Sequence, residues 1–299
     1  MSSVMQKSLA VVFPLLVALL LTGFIPLQQS TDVRLQLKLL DVDSAAELEQ
    51  VFSELAYAWP LQPGDSIPAI ELTTLPSDLA QTEDVKLKKS LFFRSLLPIV
   101  LAENEKVAEL RSHISVLLKK GAMQLTKTEK RWLETIALQY KVKGSISDVR
   151  IQRKLLSRVD VVPPALALAQ AANESAWGTS RFARQGNNLF GQWTYRQSEG
   201  IVPLGRPEGA TYAVRAFSSI DASVRAYIQN INSNNAYAEL RQLRQQMRDK
   251  GEALDSHVLA TGLMAYSARG EEYIAELQAM MRINKLLTVL SSVSLKRGS

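Results

Sequence analysis

Residues 163–191 read PPALALAQAANESAWGTSRFARQGNNLFG. Asp160, Pro163 and Pro164 together signal a helix start, because proline is best tolerated in the first helical turn. The pattern predicts a helix from there to about Trp177, with Gly178 as its stop. Alanine and leucine occupy nearly every side of it, so this helix belongs at the centre of a domain. Glu174 then falls at its carboxyl end, where burial and the negative end of the helix dipole both disfavour the anion. A carboxyl placed that way stays protonated near neutral pH and serves as a general acid, as the lysozyme glutamate does. The plainer alternative is a solvated polar helix end. Thirteen positions on, Asn187 opens the turn NNLFG.

Outside this stretch the composition is that of a globular protein. The chain has 299 residues, is 46% hydrophobic, and carries a net charge of +6 with a pI near 9.4. That charge favours an anionic partner. No nucleic-acid module accompanies it, so a nucleic acid is not expected as the partner. There are no cysteines and only two histidines, His113 and His257, which argues against disulfides, thiolate chemistry and a metal centre. No phosphate-binding glycine loop is present, and no cofactor is expected.

Lys7 precedes an uncharged stretch over 9–27, LAVVFPLLVALLLTGFIPL, which reads as an export signal or membrane anchor. No small-x-small cleavage site follows, and Leu-Thr-Gly-Phe lacks a lipoprotein cysteine. The expectation is therefore a periplasmic, extracytoplasmic protein, either anchored in the inner membrane or secreted.

The chain divides into a signal or anchor (1–30), a small acidic region with a Pro-rich linker (31–83), a basic helical region (84–150), a main domain (151–290) and a tail (291–299). Residues 31–84 hold 11 acidic and 2 basic residues, whereas 85–154 hold 6 and 16. The first segment could dock on the second by charge, or both could be separately solvated. Alternation over 33–39 suggests a strand. Ser44 and Glu47 form a capping box for a helix to about Ala58. Pro60, Pro63, Gly64 and Pro68 mark the linker. Helices are expected over 84–119 and 127–140, the second started by Thr126 or Thr128 and burying a stripe of Trp132, Ile136 and Tyr140. Glycine, proline and β-formers between Gln192 and Phe217 suggest a hairpin-like lobe. Helices resume over 219–232, 236–250, 255–264 and 271–290.

Six ordered motifs run through the main domain: LSRVDVVP, ESAWGTS, NNLFG, FSSIDASVRAY, NINSNNAY and AYSARGEEY. In this order they resemble the glycoside hydrolase family 73 peptidoglycan N-acetylglucosaminidases, and most closely the Bax-type glucosaminidases, over about 155–285. The resemblance implies a mainly α (α+β) protein: a lysozyme-like helical domain with a small β lobe, preceded by a mixed region and a membrane segment. It implies an endo-β-N-acetylglucosaminidase acting on the β-1,4 bond after N-acetylglucosamine in peptidoglycan glycan strands. Glu174 takes the general-acid role by motif match, and Tyr266 matches a tyrosine that supports the active site. The surrounding Ala-Tyr-Ser-Ala-Arg-Gly departs from the family 73 pattern there.

Glycosidases usually add a second carboxylate. Glu208 ranks first and Glu199 second, both in the β lobe, with Asp221 as a surface or capping residue. A substrate acetamido oxygen could also take that role. Asn187, Asn188 and Phe190 either shape the turn or contact sugar; Trp193, ahead of Trp177 and Tyr195, is the candidate for stacking on a sugar face. Two rivals remain. A lytic transglycosylase normally carries Gly-Leu-Met-Gln after its Glu-Ser, which is absent here. The other is a membrane-tethered wall-binding scaffold with a degenerate site.

Overall fold

In the computed structural model the described residues are 36–121, 123–290 and 292–297. The stretch over 9–27 lies outside them, and among the described residues no helix is long and apolar enough to cross a membrane. Of the strand expected over 33–39, residues 33–35 lie outside the described residues and only the end is strand, β1 (Lys38–Leu40); Ser44 caps α1 (Ala45–Glu54) by accepting from the Glu47 N–H at 3.2 Å. Glu47 reaches back one residue beyond the cap, to the Asp43 N–H at 2.9 Å. The helix ends earlier than Ala58, because Ala56 turns into the left-handed region at φ 50°.

The Pro- and Gly-punctuated stretch is packed rather than a free tether. It forms β2 (Ser66–Ile67) and β3 (Ile70–Leu72), and it buries Leu61, Ile67, Ile70 and Leu72. Its prolines and glycine mark turns between short buried segments. β3 lies parallel to β1 with Lys38 opposite Ile70.

Asp84 caps α2 (Val85–Lys119), accepting from the N–H groups of Lys86 and Leu87. Residues 91–100 of this helix are all buried. The acidic region docks on it mainly through apolar residues, with one ion pair among the described residues, Glu49 to Arg94. Thr126, in a full capping box with Glu129, starts α3 (Lys127–Gln139). Here the buried line is Leu133, Ala137 and Tyr140, while Trp132 and Ile136 sit at its half-buried edge and Trp132 stacks on His113 at 4.6 Å.

α4 (Val149–Arg158) leads into α5 (Pro164–Ser175), whose residues 165–172 are buried without a break. Asp160 corrects its expected part in starting that helix. It is the buried hub of the junction, salt-bridged to Arg248 at 2.9 Å, Arg111 at 3.7 Å and Arg244 at 3.8 Å. Burial alone would raise its carboxyl; the hydrogen bond from Arg248 and the nearby guanidinium charges outweigh burial and hold it below the usual range. Local sequence resembled a cap because a short acidic residue precedes two prolines; long-range arginines determine the actual role.

α6 (Arg181–Gly186) follows, then the small β lobe: β4 (Trp193–Thr194), β5 (Gly200–Ile201) and β6 (Ala213–Arg215), antiparallel in the order β4-β6-β5. The remaining helices are α7 (Ile220–Ser233), α8 (Ala238–Asp249), α9 (Ser256–Ala260), α10 (Glu271–Ile283) and α11 (Leu286–Val289). α9 is shorter than expected and passes into a 3₁₀ turn at Thr261–Leu263, where Gly262 presses on the Leu240 backbone. The last expected helix is broken at Lys285, which is left-handed at φ 54°. β7 (Ser294–Leu295) returns to pair in parallel with β2. One hydrophobic core runs from Ala45 to Leu295, with α5 packed against α2, α9 and α10.

Candidate active site

α5 ends two residues earlier than its glycine suggested. Ala176, Trp177 and Gly178 are successively left-handed, at φ 49°, 61° and 77°. Ser175 ties this turn together: its hydroxyl donates to the Ala171 carbonyl at 2.6 Å and accepts the Gly178 N–H at 2.7 Å. A left-handed non-glycine residue costs about 1–2 kcal/mol, so the surroundings must enforce the bend. They do so by packing: Trp177 lies edge-on against Phe92 and Phe93, at 5.9 and 5.1 Å, with the Lys89 ammonium 4.6 Å over its ring. Trp177 is thus partly buried and packed against the core, held by α2.

The bend leaves Glu174 in the last turn of α5, half-buried. Burial pushes its carboxyl above the usual range, and the neighbouring Glu276 adds to this. Hydrogen bonds from Tyr273 and Asn173, and the Arg269 charge, oppose the shift without cancelling it. Behind Tyr273 runs a buried chain: the Tyr227 hydroxyl donates to Gln170 Oε1 at 2.6 Å, and Gln170 Nε2 donates to the Tyr273 oxygen at 3.0 Å. With its acceptor position filled by Gln170, the Tyr273 O–H is oriented to donate to Glu174.

The second motif faces this carboxyl. Gly191 is left-handed at φ 63°, and a Cβ there would lie 3.4 Å from Glu174 Oε2, so the turn's backbone meets the acid directly. Asn187 ends α6 at φ 50° and donates to the Phe217 carbonyl at 3.2 Å. Asn188 donates to the carbonyls of Gln192 and Arg215, both at 2.8 Å, and accepts the N–H groups of Phe190 and Gln192. That uses its whole hydrogen-bonding capacity. Both asparagines are buried, as is Phe190, whose ring stacks on Tyr227 at 3.9 Å. These bonds tie the side chains of Asn187 and Asn188 into the turn and the strand beside it.

Tyr266 also acts on the turn: its hydroxyl donates to the Phe190 carbonyl at 2.8 Å. Its ring stacks on Tyr273 at 5.5 Å and 4°, and lies beside Tyr237 at 5.5 Å. This makes Tyr266 a brace between the turn and the residue that bonds Glu174. Trp193, on β4, is 58% exposed and edge-on to Tyr212 at 4.7 Å. Tyr195 is more exposed still.

The acidic candidates lie in different settings. Glu208 is exposed in the long loop before β6. Glu199 is exposed and bonded to Arg196 at 3.0 Å. Asp221, in the first turn of α7, pairs with Arg225 and meets the buried Glu103 of α2, which places it at a helix junction. Glu276 of α10 acts on Glu174 electrostatically and pairs with Arg269 at 2.5 Å. Among the described residues no group of three or more His, Cys, Asp or Glu side chains has the arrangement of a metal site.

Gln170, Tyr227 and Tyr273 join the site although none is among the residues expected there from the sequence. A lone glutamine inside an alanine-leucine helix was a signal, since a buried amide needs partners. Both tyrosines close motifs quoted above. Beside the turn, a groove of about 470 Å³ extends from Phe190, Gly191 and Trp193 past Tyr266 and Tyr237 along α7.

Residues 150–286 match the family described as Glucosaminidase, mannosyl-glycoprotein endo-beta-N-acetylglucosaminidase. The chain is 33% identical over 216 residues to Protein bax of Escherichia coli (strain K12), covering 72% of this chain and 76% of that protein. No solved structure matches.

Proposed function

The chain belongs to the Bax-type glucosaminidases, and from that premise we propose that it hydrolyses the β-1,4 bond after N-acetylglucosamine in peptidoglycan, with Glu174 as the general acid. The observation that carries the reading is the raised carboxyl of Glu174 at the open end of a buried helix, facing the backbone of Gly191. A neutral carboxyl there donates its proton to the departing glycosidic oxygen as the bond breaks, a contribution of about 10²- to 10⁴-fold. Tyr273 orients that carboxyl, and Tyr266 holds the turn against it. Both act through other groups and are positioning residues.

Breaking the bond also requires a nucleophile at the sugar's anomeric carbon. Glu208, then Glu199, are the carboxylates proposed to reach across from the β lobe and activate water; both are exposed, Glu208 in the loop before β6 and Glu199 in a 3₁₀ turn before β5. The substrate's own 2-acetamido oxygen is the alternative nucleophile. The proposed arrangement is lysozyme-like, the helical body supplying the acid and the β lobe the opposite wall. We place the protein outside the cytoplasmic membrane, tethered or exported by residues 9–27. The net charge of +6 suits an anionic wall.

The test is product analysis on purified sacculi with wild type and Glu174→Gln side by side. Wild type should release fragments with N-acetylglucosamine reducing ends, and Glu174→Gln should lose at least about 100-fold in rate. Release of 1,6-anhydro sugars would make the protein a transglycosylase. Equal inactivity of both proteins, with both still pelleting on sacculi, would make it a wall-binding scaffold.

A further inference from the structure

We propose that the groove along α7 is a subsite for a carboxylate-bearing substituent of the glycan, held between Lys141 and Arg215. The residues 139–141 that build its far end lie upstream of the matched family segment. This inference rests on the glycan-hydrolase reading and names the substrate class of the same site.

The groove lining contains two cations, Lys141 and Arg215, and no acidic residue. Both cations are exposed, and among the described residues neither pairs with a carboxylate. Between them lie amides and aromatic rings, among them Gln229, Asn230, Tyr237 and Trp193, which suit sugar and peptide groups. A neutral glycan alone would leave both charges without a counterpart. A glycan bearing short acidic peptides supplies one.

Both cations stand on backbone that is fixed in place. The Lys141 turn is pinned to the end of α7 by the buried Arg158, which donates to the carbonyls of Tyr140 at 2.7 Å, Lys141 at 3.1 Å and Ser233 at 2.9 Å. Gln229 adds a hydrogen bond to the Gln139 carbonyl at 2.9 Å. Arg215 is held from the other side: its N–H donates to the Gln192 carbonyl and its carbonyl accepts from Asn188, both at 2.8 Å. Its guanidinium rests on the Phe217 ring at 4.9 Å. The turn that meets Glu174 therefore also positions one of the two anchors, which sets the carboxylate subsite in register with the scissile bond.

The experiment uses the full-length protein and two substrates, sacculi with their stem peptides and the same glycan strands stripped of peptide by an amidase, with the lactyl carboxylates so exposed blocked as neutral amides. Its readout is the ratio of kcat/KM on the two. Lys141 is left-handed at φ 57°, so Lys141→Gly removes the charge while suiting the backbone, and misfolding does not explain a loss. Lys141→Gly and Arg215→Ala should each lower the preference for peptide-bearing glycan about tenfold, with Lys141→Arg restoring it. The preference should also shrink as salt is raised. An unchanged ratio in Lys141→Gly and Arg215→Ala overturns the proposal, as does an equal loss on both substrates. Co-pelleting with the two substrates in a Glu174→Gln background reads the same preference without catalysis. A failure of the hydrolase reading is thereby distinguished from a failure of the subsite.

Discussion

At Glu174 burial and hydrogen bonding pull in opposite directions, and burial prevails. The folded protein then holds this proton more tightly than the unfolded chain does. The resulting stability is fully present below the unfolded glutamate pKa of about 4.3 and is lost as pH rises through the raised folded value. Glu174→Gln should therefore melt at a higher temperature than wild type at pH 7, with the gap closing towards pH 4. A melting difference that is flat across that range would contradict the assignment. Tyr273 works in the other direction, because its donated hydrogen bond favours the anion. Tyr273→Phe keeps the ring stacked on Tyr266 but removes the donor, so the Glu174 carboxyl should rise further. The basic limb of the pH profile of kcat/KM should move to higher pH and the maximum should fall about tenfold. A purely structural role for Tyr273 would lower the profile without moving that limb.

Among the elements, α5 depends on how its end is closed. Gly178 is left-handed at φ 77°, and a Cβ there would lie 2.3 Å from Leu75 Cδ1 and 3.2 Å from the Phe92 ring. Gly178→Ala should destabilise the protein by about 2–4 kcal/mol, read as a lower denaturant midpoint at unchanged m-value. Activity should fall with it, because the same bend aims Glu174. The identity of this element was legible from its prolines and its apolar run. Its end was misplaced by two residues, since nothing local reports that Phe92 and Phe93 stand ready to hold Ala176 and Trp177 in left-handed backbone.

For the whole molecule, the described residues from 36 onward share one core, in which α2 covers α5 and α7. Further links cross the same boundary: Ile220 N–H donates to the Thr73 carbonyl at 3.0 Å, and Asn104 exchanges hydrogen bonds with Val162. A chain beginning at residue 150 strips this cover from the most apolar helix. It should fail to unfold cooperatively on heating and should bind a hydrophobic dye. A sharp melting transition in that fragment would show that the glucosaminidase segment stands alone.

The pattern of residues along the chain was enough for the helical class, the cap at Ser44, a helix start at Thr126 or Thr128, the small β lobe and the place of Glu174 at the end of an apolar helix. Each is set by interactions within a few residues, through helical period, capping geometry and turn chemistry. Folding was needed to reveal Asp160 as an arginine-bound hub, the Tyr227-Gln170-Tyr273 chain behind the acid, the turn-holding work of Asn188, and the pairing of Lys141 with Arg215 across one groove. Three of the bonds of Asn188 stay within its own turn, to Phe190 and Gln192; the other partners lie from tens of residues to more than a hundred apart along the chain. The reason is physical: a buried polar group is defined by the partners that satisfy it, and long-range packing alone brings those partners together.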